Sequence, residues 1–168
     1  MAKREELIHY IDTSMGQEEA VYALIGDGVS SMTEEFNVEE ETTQWINQAN
    51  GNTEVRSYTP SIEVEKQDCI DDDMQAFIDK IIDELPTGTD AETYYVRFRL
   101  KDAIPSASGK YVAYRRRCAV SATSTGGDAG ANVVNSIKIG GKGSAVKGYF
   151  DVATKEFTEG EYSAGVGG

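Results

Sequence analysis

The spacing of apolar and polar positions changes period within one short stretch of this chain. In SYTPSIEVEKQDCIDDDMQAFIDKIIDEL, which starts at Ser57, Ile62 and Val64 face one way while Ser61, Glu63 and Glu65 face the other. That period of two predicts a strand with one buried face. Met74, Phe77, Ile78, Ile81, Ile82 and Leu85 then fall on one apolar stripe at helical spacing, predicting a helix over about residues 71–85 that packs on a sheet. Asp71 is placed to cap it, while Asp72 and Asp73 put negative charge at the positive end of its dipole. Pro86 and Gly88 end it. No other stretch reads as a convincing helix.

The rest reads as strands and turns. Residues 1–17 read as an N-terminal arm, with Leu7, Ile8, Tyr10 and Ile11 scattered among charges. Glu19–Ile25 reads as a strand ending in the turn Gly26-Asp27-Gly28. Residues 34–46 read as one extended acidic strand, and residues 53–67 as its return, with Pro60 marking an edge or a bulge. Asn50-Gly51 is a hairpin signal between them. The segment 42–57 is long for a hairpin connection and carries Trp45 and Ile46 where a simple turn would be polar. It is expected to project, with Trp45 on an ordinary core strand as the alternative.

In residues 93–101 alternation points Tyr94, Val96, Phe98 and Leu100 inward and Tyr95, Arg97 and Arg99 outward. In residues 110–123 Val112, Tyr114, Cys118 and Val120 share a face. Ser124–Gly130 reads as a flexible loop, and strands near 131–139 and 144–151 as joined by a hairpin turn at Gly140-Gly141-Lys142-Gly143. A short strand at 155–157 precedes a flexible tail from residue 159. The expected fold is one mainly β, α+β domain over 18–158: two packed antiparallel sheets, as a sandwich or partial barrel, with one flanking helix.

Candidate chemistry is sparse. The one histidine, His9, lies in the expected arm and reads as a surface residue, so neither a Ser-His-Asp triad nor a histidine metal site is expected. Asp71-Asp72-Asp73 opens a helix and lacks the alternating ligands and central glycine of a calcium loop. Gly140-Gly141-Lys142-Gly143-Ser144 lacks the first glycine of a phosphate loop, because Ser136 stands there. Carboxylates are too numerous for any pair to stand out. No catalytic, cofactor or metal residue is expected. Cys69 and Cys118 read as a reduced, buried pair, implying synthesis in a reducing cytoplasm.

The formal net charge of −13 argues against tight nucleic-acid binding, whose affinity comes largely from phosphate neutralisation. No apolar run approaches the length of a membrane span, and the charged opening Met1-Ala2-Lys3-Arg4-Glu5-Glu6 is not expected to be a secretion signal. Arg97, Arg99, Arg115, Arg116 and Arg117 form the one basic cluster, either a solvated face or a subunit interface where they meet a neighbour's acids.

Four stretches carry a family resemblance: Tyr58-Thr59-Pro60-Ser61-Ile62-Glu63-Val64-Glu65, Thr93-Tyr94-Tyr95-Val96-Arg97, Tyr111-Val112-Ala113-Tyr114-Arg115-Arg116, and Gly148-Tyr149-Phe150-Asp151-Val152-Ala153-Thr154-Lys155-Glu156-Phe157. In this order, around the helix, they resemble the tail tube (major tail) protein of long-tailed bacteriophages, in particular phages of Gram-positive bacteria. The resemblance spans about residues 20–158. It implies six subunits in a ring and rings stacked into a tube, assembled in the host cytoplasm, resident in the virion tail and serving as the conduit for DNA ejection. DNA would pass without tight binding, so Glu39, Glu41, Glu63 and Glu65 are candidates for an acidic lumen. Trp45, Ile46, Asn47, Asn50 and Gly51 are candidates for stacking one ring on the next. The implied partners are further copies of the chain, a tape measure protein, a tail terminator and baseplate or distal tail proteins, with no membrane and no cofactor. Two alternatives stay open: the inner tube of a contractile tail or tail-like bacteriocin, and a monomeric β-sandwich that binds carbohydrate.

Overall fold

A computed structural model describes residues 3–16, 19–70 and 72–162. The strands, in chain order, are β1 (Leu7–Asp12), β2 (Tyr22–Leu24), β3 (Val29–Glu35), β4 (Glu39–Thr43), β5 (Asn52–Ser57) and β6 (Ser61–Gln67); after the helix α1 (Asp73–Glu84) come β7 (Glu92–Ala103), β8 (Lys110–Gly126), β9 (Val134–Asp151) and β10 (Glu156–Glu159). The order β2-β1-β7-β8-β9-β6-β3 makes one antiparallel sheet, with β10 beside the far end of β9; β4 and β5 pair only with each other. The result is a mainly β, one-helix fold: a curled half-barrel sheet plus a small second sheet.

The curl is visible in contacts between strands that are not neighbours. The rings of Tyr22 on β2 and Phe150 on β9 meet edge to face at 5.7 Å, although β1, β7 and β8 lie between their strands. One face of the sheet thereby encloses an aromatic core of Tyr10, Tyr22, Val96, Phe98, Ala113 and Phe150. The opposite face carries the larger core, in which Ile11, Ile62, Val64, Tyr95, Cys118, Val120, Ile137 and Ile139 pack against α1. Apolar burial on both faces explains why simple alternation misassigned β7. Tyr95, expected outside, is buried, and Leu100, expected inside, is exposed.

Met74, Phe77, Ile78 and Ile81 of α1 are buried, and Ile82 packs partly against the same core. Leu85 does not complete the stripe. It adopts a left-handed conformation (φ 47°), donates its N–H to Ile81 O, and is 64% exposed because the chain has already turned out of the helix. Asp72 is the N-cap, its carboxylate accepting Met74 N at 3.4 Å; Asp71 lies outside the described residues.

Other expectations are also corrected. The supposed arm contains β1, a strand hydrogen-bonded on both sides, by β2 and by β7. The supposed hairpin turn at Gly140-Gly141-Lys142-Gly143 lies inside β9, which continues in the same direction; β8 pairs Arg117 with Lys142 and Arg115 with Val146, so residues 143–145 bulge out. The single acidic strand at 34–46 is broken at residues 36–38, where Asn37 has φ 45°. The return at 53–67 is likewise two strands, divided at Tyr58-Thr59-Pro60. The tail expected from residue 159 is tied down as far as Tyr162, whose ring meets Tyr149 at 4.8 Å; residues 163–168 lie outside the description.

Candidate assembly surfaces

The β4–β5 ribbon is exposed at every residue. Its register pairs Glu40 with Val55, Glu41 with Glu54, Thr42 with Thr53 and Thr43 with Asn52. Two acids directly opposite one another repel. An ion pair from Arg56 to Glu41 offsets this, and the Thr42 and Thr53 hydroxyls share a hydrogen bond at 3.0 Å on the other face. Residues 44–51 form the tip, so Asn50-Gly51 closes a longer loop and is not itself a two-residue turn. The side chain of Gln44 donates to the carbonyls of Gln48 and Ala49, and Gln48 accepts from Trp45 N at 3.3 Å. With its polar groups turned onto its own backbone, the loop presents Trp45 at 66% exposure and Ile46 at 106%. Trp45 is therefore not a core residue of this chain, and Asn47, Asn50 and Gly51 are exposed beside it.

The ribbon is fastened at its root. Phe36 O accepts Thr59 N at 2.9 Å, and Asn37 Nδ2 donates to Thr59 O and Ser61 Oγ. One residue before the end of β3, Glu34 reaches across the face that carries the larger core to β7. Its carboxylate accepts the Tyr95 hydroxyl at 2.7 Å and Arg97 Nη1 at 2.5 Å, and the Arg97 guanidinium lies 5.8 Å from the ring of Phe36. Burial, and the hydrogen bond to Glu34, hold the Tyr95 hydroxyl well above its ordinary pKa. His9 lies on the same interior face, 2% exposed, with neither ring nitrogen hydrogen-bonded, in contrast to the expected surface position. The β1–β7 ladder sets it opposite Arg97, on the same face of the sheet as Tyr95.

The five arginines do not form one surface. Cross-strand pairing sets Arg97 and Arg116 on the face of Tyr95, and Arg115 and Arg117 on the face of Val96. Arg97 is engaged by Glu34, and Arg115 lies over the rings of Tyr94 and Phe157 at 4.9 and 5.1 Å. Arg117 pairs with Glu92, which also takes Lys142; these two cations hold the Glu92 carboxyl below its ordinary pKa, Lys142 foremost. Arg99 faces Asp102 at 3.7 Å, and Arg116 donates to Gly143 O. The expected single cluster is thus largely engaged within the subunit: Arg99 keeps only a long pair with Asp102, and Arg115 and Arg116 have no ion pair.

The acidic candidates also divide. Glu63 and Glu65 are exposed on the outer face of β6, flanked by Thr33 and Ser31 of β3 and by Lys138 and Ser136 of β9. Glu39 and Glu41 stand apart on the ribbon. On the inner face of β6, Lys66 follows Ile62 and Val64 into the core at 0% exposure. Its Nζ donates to Gln75 Oε1 at 3.2 Å and lies 2.9 Å from the Asp72 carboxylate, tying the strand to the first turn of α1. Lys66 went unnoticed in the sequence, although the period of two that places Ile62 and Val64 inward, carried two residues further, would have found it. For the Glu34 contacts no local signal exists, because their partners are distant in sequence.

Cys118 is buried, which pushes its thiol up to about 12, and Cys69 is partly buried; both are free. Among the described residues no group of three His, Cys, Asp or Glu is placed to hold a metal ion, and no helix is long and apolar enough to cross a membrane.

Neither a family model nor a curated protein matches this chain. Solved structures do. A chain from the tail of an empty gene transfer agent particle, refined with sixfold symmetry, superposes with a TM-score of 0.61 at 11% identity, over 86% of this chain and 97% of that one. A chain of the native gene transfer agent virion gives 0.56 at 12% identity, over 94% and 99%. A chain of the tube-terminating cap of the anti-feeding prophage gives 0.51 at 11% identity, over 88% and 90%. The fold is that of chains found in tails and tube caps, matched over nearly their full length.

Proposed function

We propose that this chain is a tail tube subunit: six copies close into a ring, rings stack into a tube, and the tube conducts DNA out of a virion without tight binding and without catalysis. The observation that carries this reading is the fully exposed β4–β5 ribbon with an apolar tip, on a fold shared along its length with chains of virion tails. A two-stranded ribbon with no buried face is at best marginal in water, so a partner surface is its natural complement. Trp45 and Ile46 are its anchors on the next ring, and Arg99 and Arg116, the least engaged of the arginines, meet a neighbour's acids. Glu63 and Glu65 face the lumen. Further copies of the chain, a tape measure protein, a terminator and baseplate proteins are its partners. The likeness to a chain of the sheath/tube terminator of an extracellular contractile injection system (TM-score 0.51, 10% identity) supports a second reading, the inner tube of a contractile machine, in which a sheath would surround the same tube.

Six subunits would carry about −78 formal charges (six times −13), a repulsion that salt screens. Electron microscopy of concentrated protein at rising ionic strength should show tubes of uniform diameter, and gel retardation at low salt should show no DNA binding. A monomer at every concentration and salt, or tight DNA binding, overturns the conduit.

A further inference from the structure

The direction in which the ribbon leaves the body is set at one point. Glu34 belongs to β3 but is bonded to Tyr95 and Arg97 of β7, and Arg97 also covers Phe36, whose carbonyl starts the ribbon's root. His9 stands opposite Arg97 on β1, its ring centroid 6.5 Å from that of Tyr95. We propose that Glu34 is the positioning residue of the ribbon, clamped by Tyr95 and Arg97, and that His9 makes this clamp release in acid.

The charged groups whose fields reach the imidazole are Glu34 from β3, Arg97 from β7 and Arg4 from the 3-10 turn at Arg4–Glu6; Arg4 also bonds the β3 edge at Met32 O. Burial keeps the ring neutral well into acid, down to about 4 from an ordinary 6.5. Once it takes a proton, both nitrogens are donors and need acceptors. Two of the three neighbouring charges are cations that repel it. The one carboxylate is Glu34, already holding Tyr95 and Arg97. A protonated His9 is accommodated when Glu34 turns to it, and that turn frees Arg97 and with it Phe36. The ribbon then loses its fixed direction, while the larger core, which shares Tyr95 with the clamp but does not include Glu34, Arg97 or Phe36, stays packed.

The reading of the ribbon as a stacking element rests on the proposed tube function, but the clamp can be tested on the subunit alone. Trp45, the one tryptophan, sits at the ribbon tip, and His9 is the one histidine, so each gives an unambiguous signal. Time-resolved Trp45 anisotropy is followed from neutral pH to about pH 4 on the wild type, His9→Gln and Glu34→Gln. The wild type should gain ribbon motion in a step coincident with the His9 ring titration seen by NMR. His9→Gln should lack that step, and Glu34→Gln should be mobile already at neutral pH. General carboxylate protonation is common to wild type and His9→Gln and cancels between them. An identical step in both, a rigid ribbon in folded Glu34→Gln, or a His9 titration that does not track the Trp45 step overturns the proposal; the last needs no variant. If tubes form, wild-type tubes should shorten over the same step and His9→Gln tubes persist. If no tubes form at any pH, the tube reading fails while the anisotropy still decides the clamp.

Discussion

β5 and β6 are separated by only Tyr58-Thr59-Pro60, yet they represent opposite ways of holding a strand. β6 has neighbours on both sides and sends Ile62, Val64 and Lys66 into the core at 0% exposure. β5 has one neighbour and buries nothing. In β6 the burial specifies the register, because a slip of one residue would turn Glu63 and Glu65 inward. In β5 the register rests on the Thr42–Thr53 and Arg56–Glu41 contacts and on the fastened root, which cost little to break. A region held extended by so little would gain most from a surface outside the chain, which is what the proposed stacking role supplies.

The sharpest test of this contrast lies in the core. Phe77→Ala should cost about 3–5 kcal/mol, read as a fall in melting temperature, and Lys80→Ala on the exposed side of α1 should cost almost nothing. Equal effects would mean that the body is held no differently from the ribbon. Next comes acid. The unfolded chain protonates His9 at its ordinary 6.5 and the folded chain resists until about 4, so this group's stabilisation is present above pH 6.5 and lost as pH falls between those values. The full loss amounts to about 3 kcal/mol. Urea unfolding at neutral pH and near pH 4 should show His9→Gln missing that part of the acid slope; a slope equal to wild type would mean that the ring is accessible to protons in the folded state. The smallest stability effect belongs to the ribbon. Trp45→Ala with Ile46→Ala should change stability by no more than about 0.5 kcal/mol while abolishing long tubes. A large drop in melting temperature would restore Trp45 to the core, and unimpaired tube growth would remove the stacking role.

What could be read from the sequence follows the same division. The helix was legible because its stripe packs on one partner, and its end at Pro86 was legible too, apart from the left-handed turn that carries Leu85 away. The projecting ribbon was recognisable from Trp45 and Ile46 in an otherwise polar loop. Tyr95 was misplaced because alternation assumes one wet face, and the first part of β7 is buried on both; His9 was misplaced because its strand was taken for an arm. The Gly140–Gly143 stretch was misread since glycines that permit a bulge within a long strand have the composition of a turn. The Glu34 clamp depends on the curl of the sheet, which no local pattern encodes.

β8 and β9 run as continuous strands past both cores: Ala113 and Phe150 pack in the aromatic cluster, Cys118, Val120, Ile137 and Ile139 against the helix. The two cores therefore cannot come apart independently, since loosening either exposes backbone that the other requires. The β7–β8 and β8–β9 hairpins are the most local of the long pairings, whereas Ile11 must find Tyr95 beyond five other strands and the helix. Chain closure favours near contacts first, which makes the β7–β8–β9 meander the natural seed and β1 a late arrival. During synthesis that seed follows β1 to β6, so the strands made first must wait for it before the body can fold.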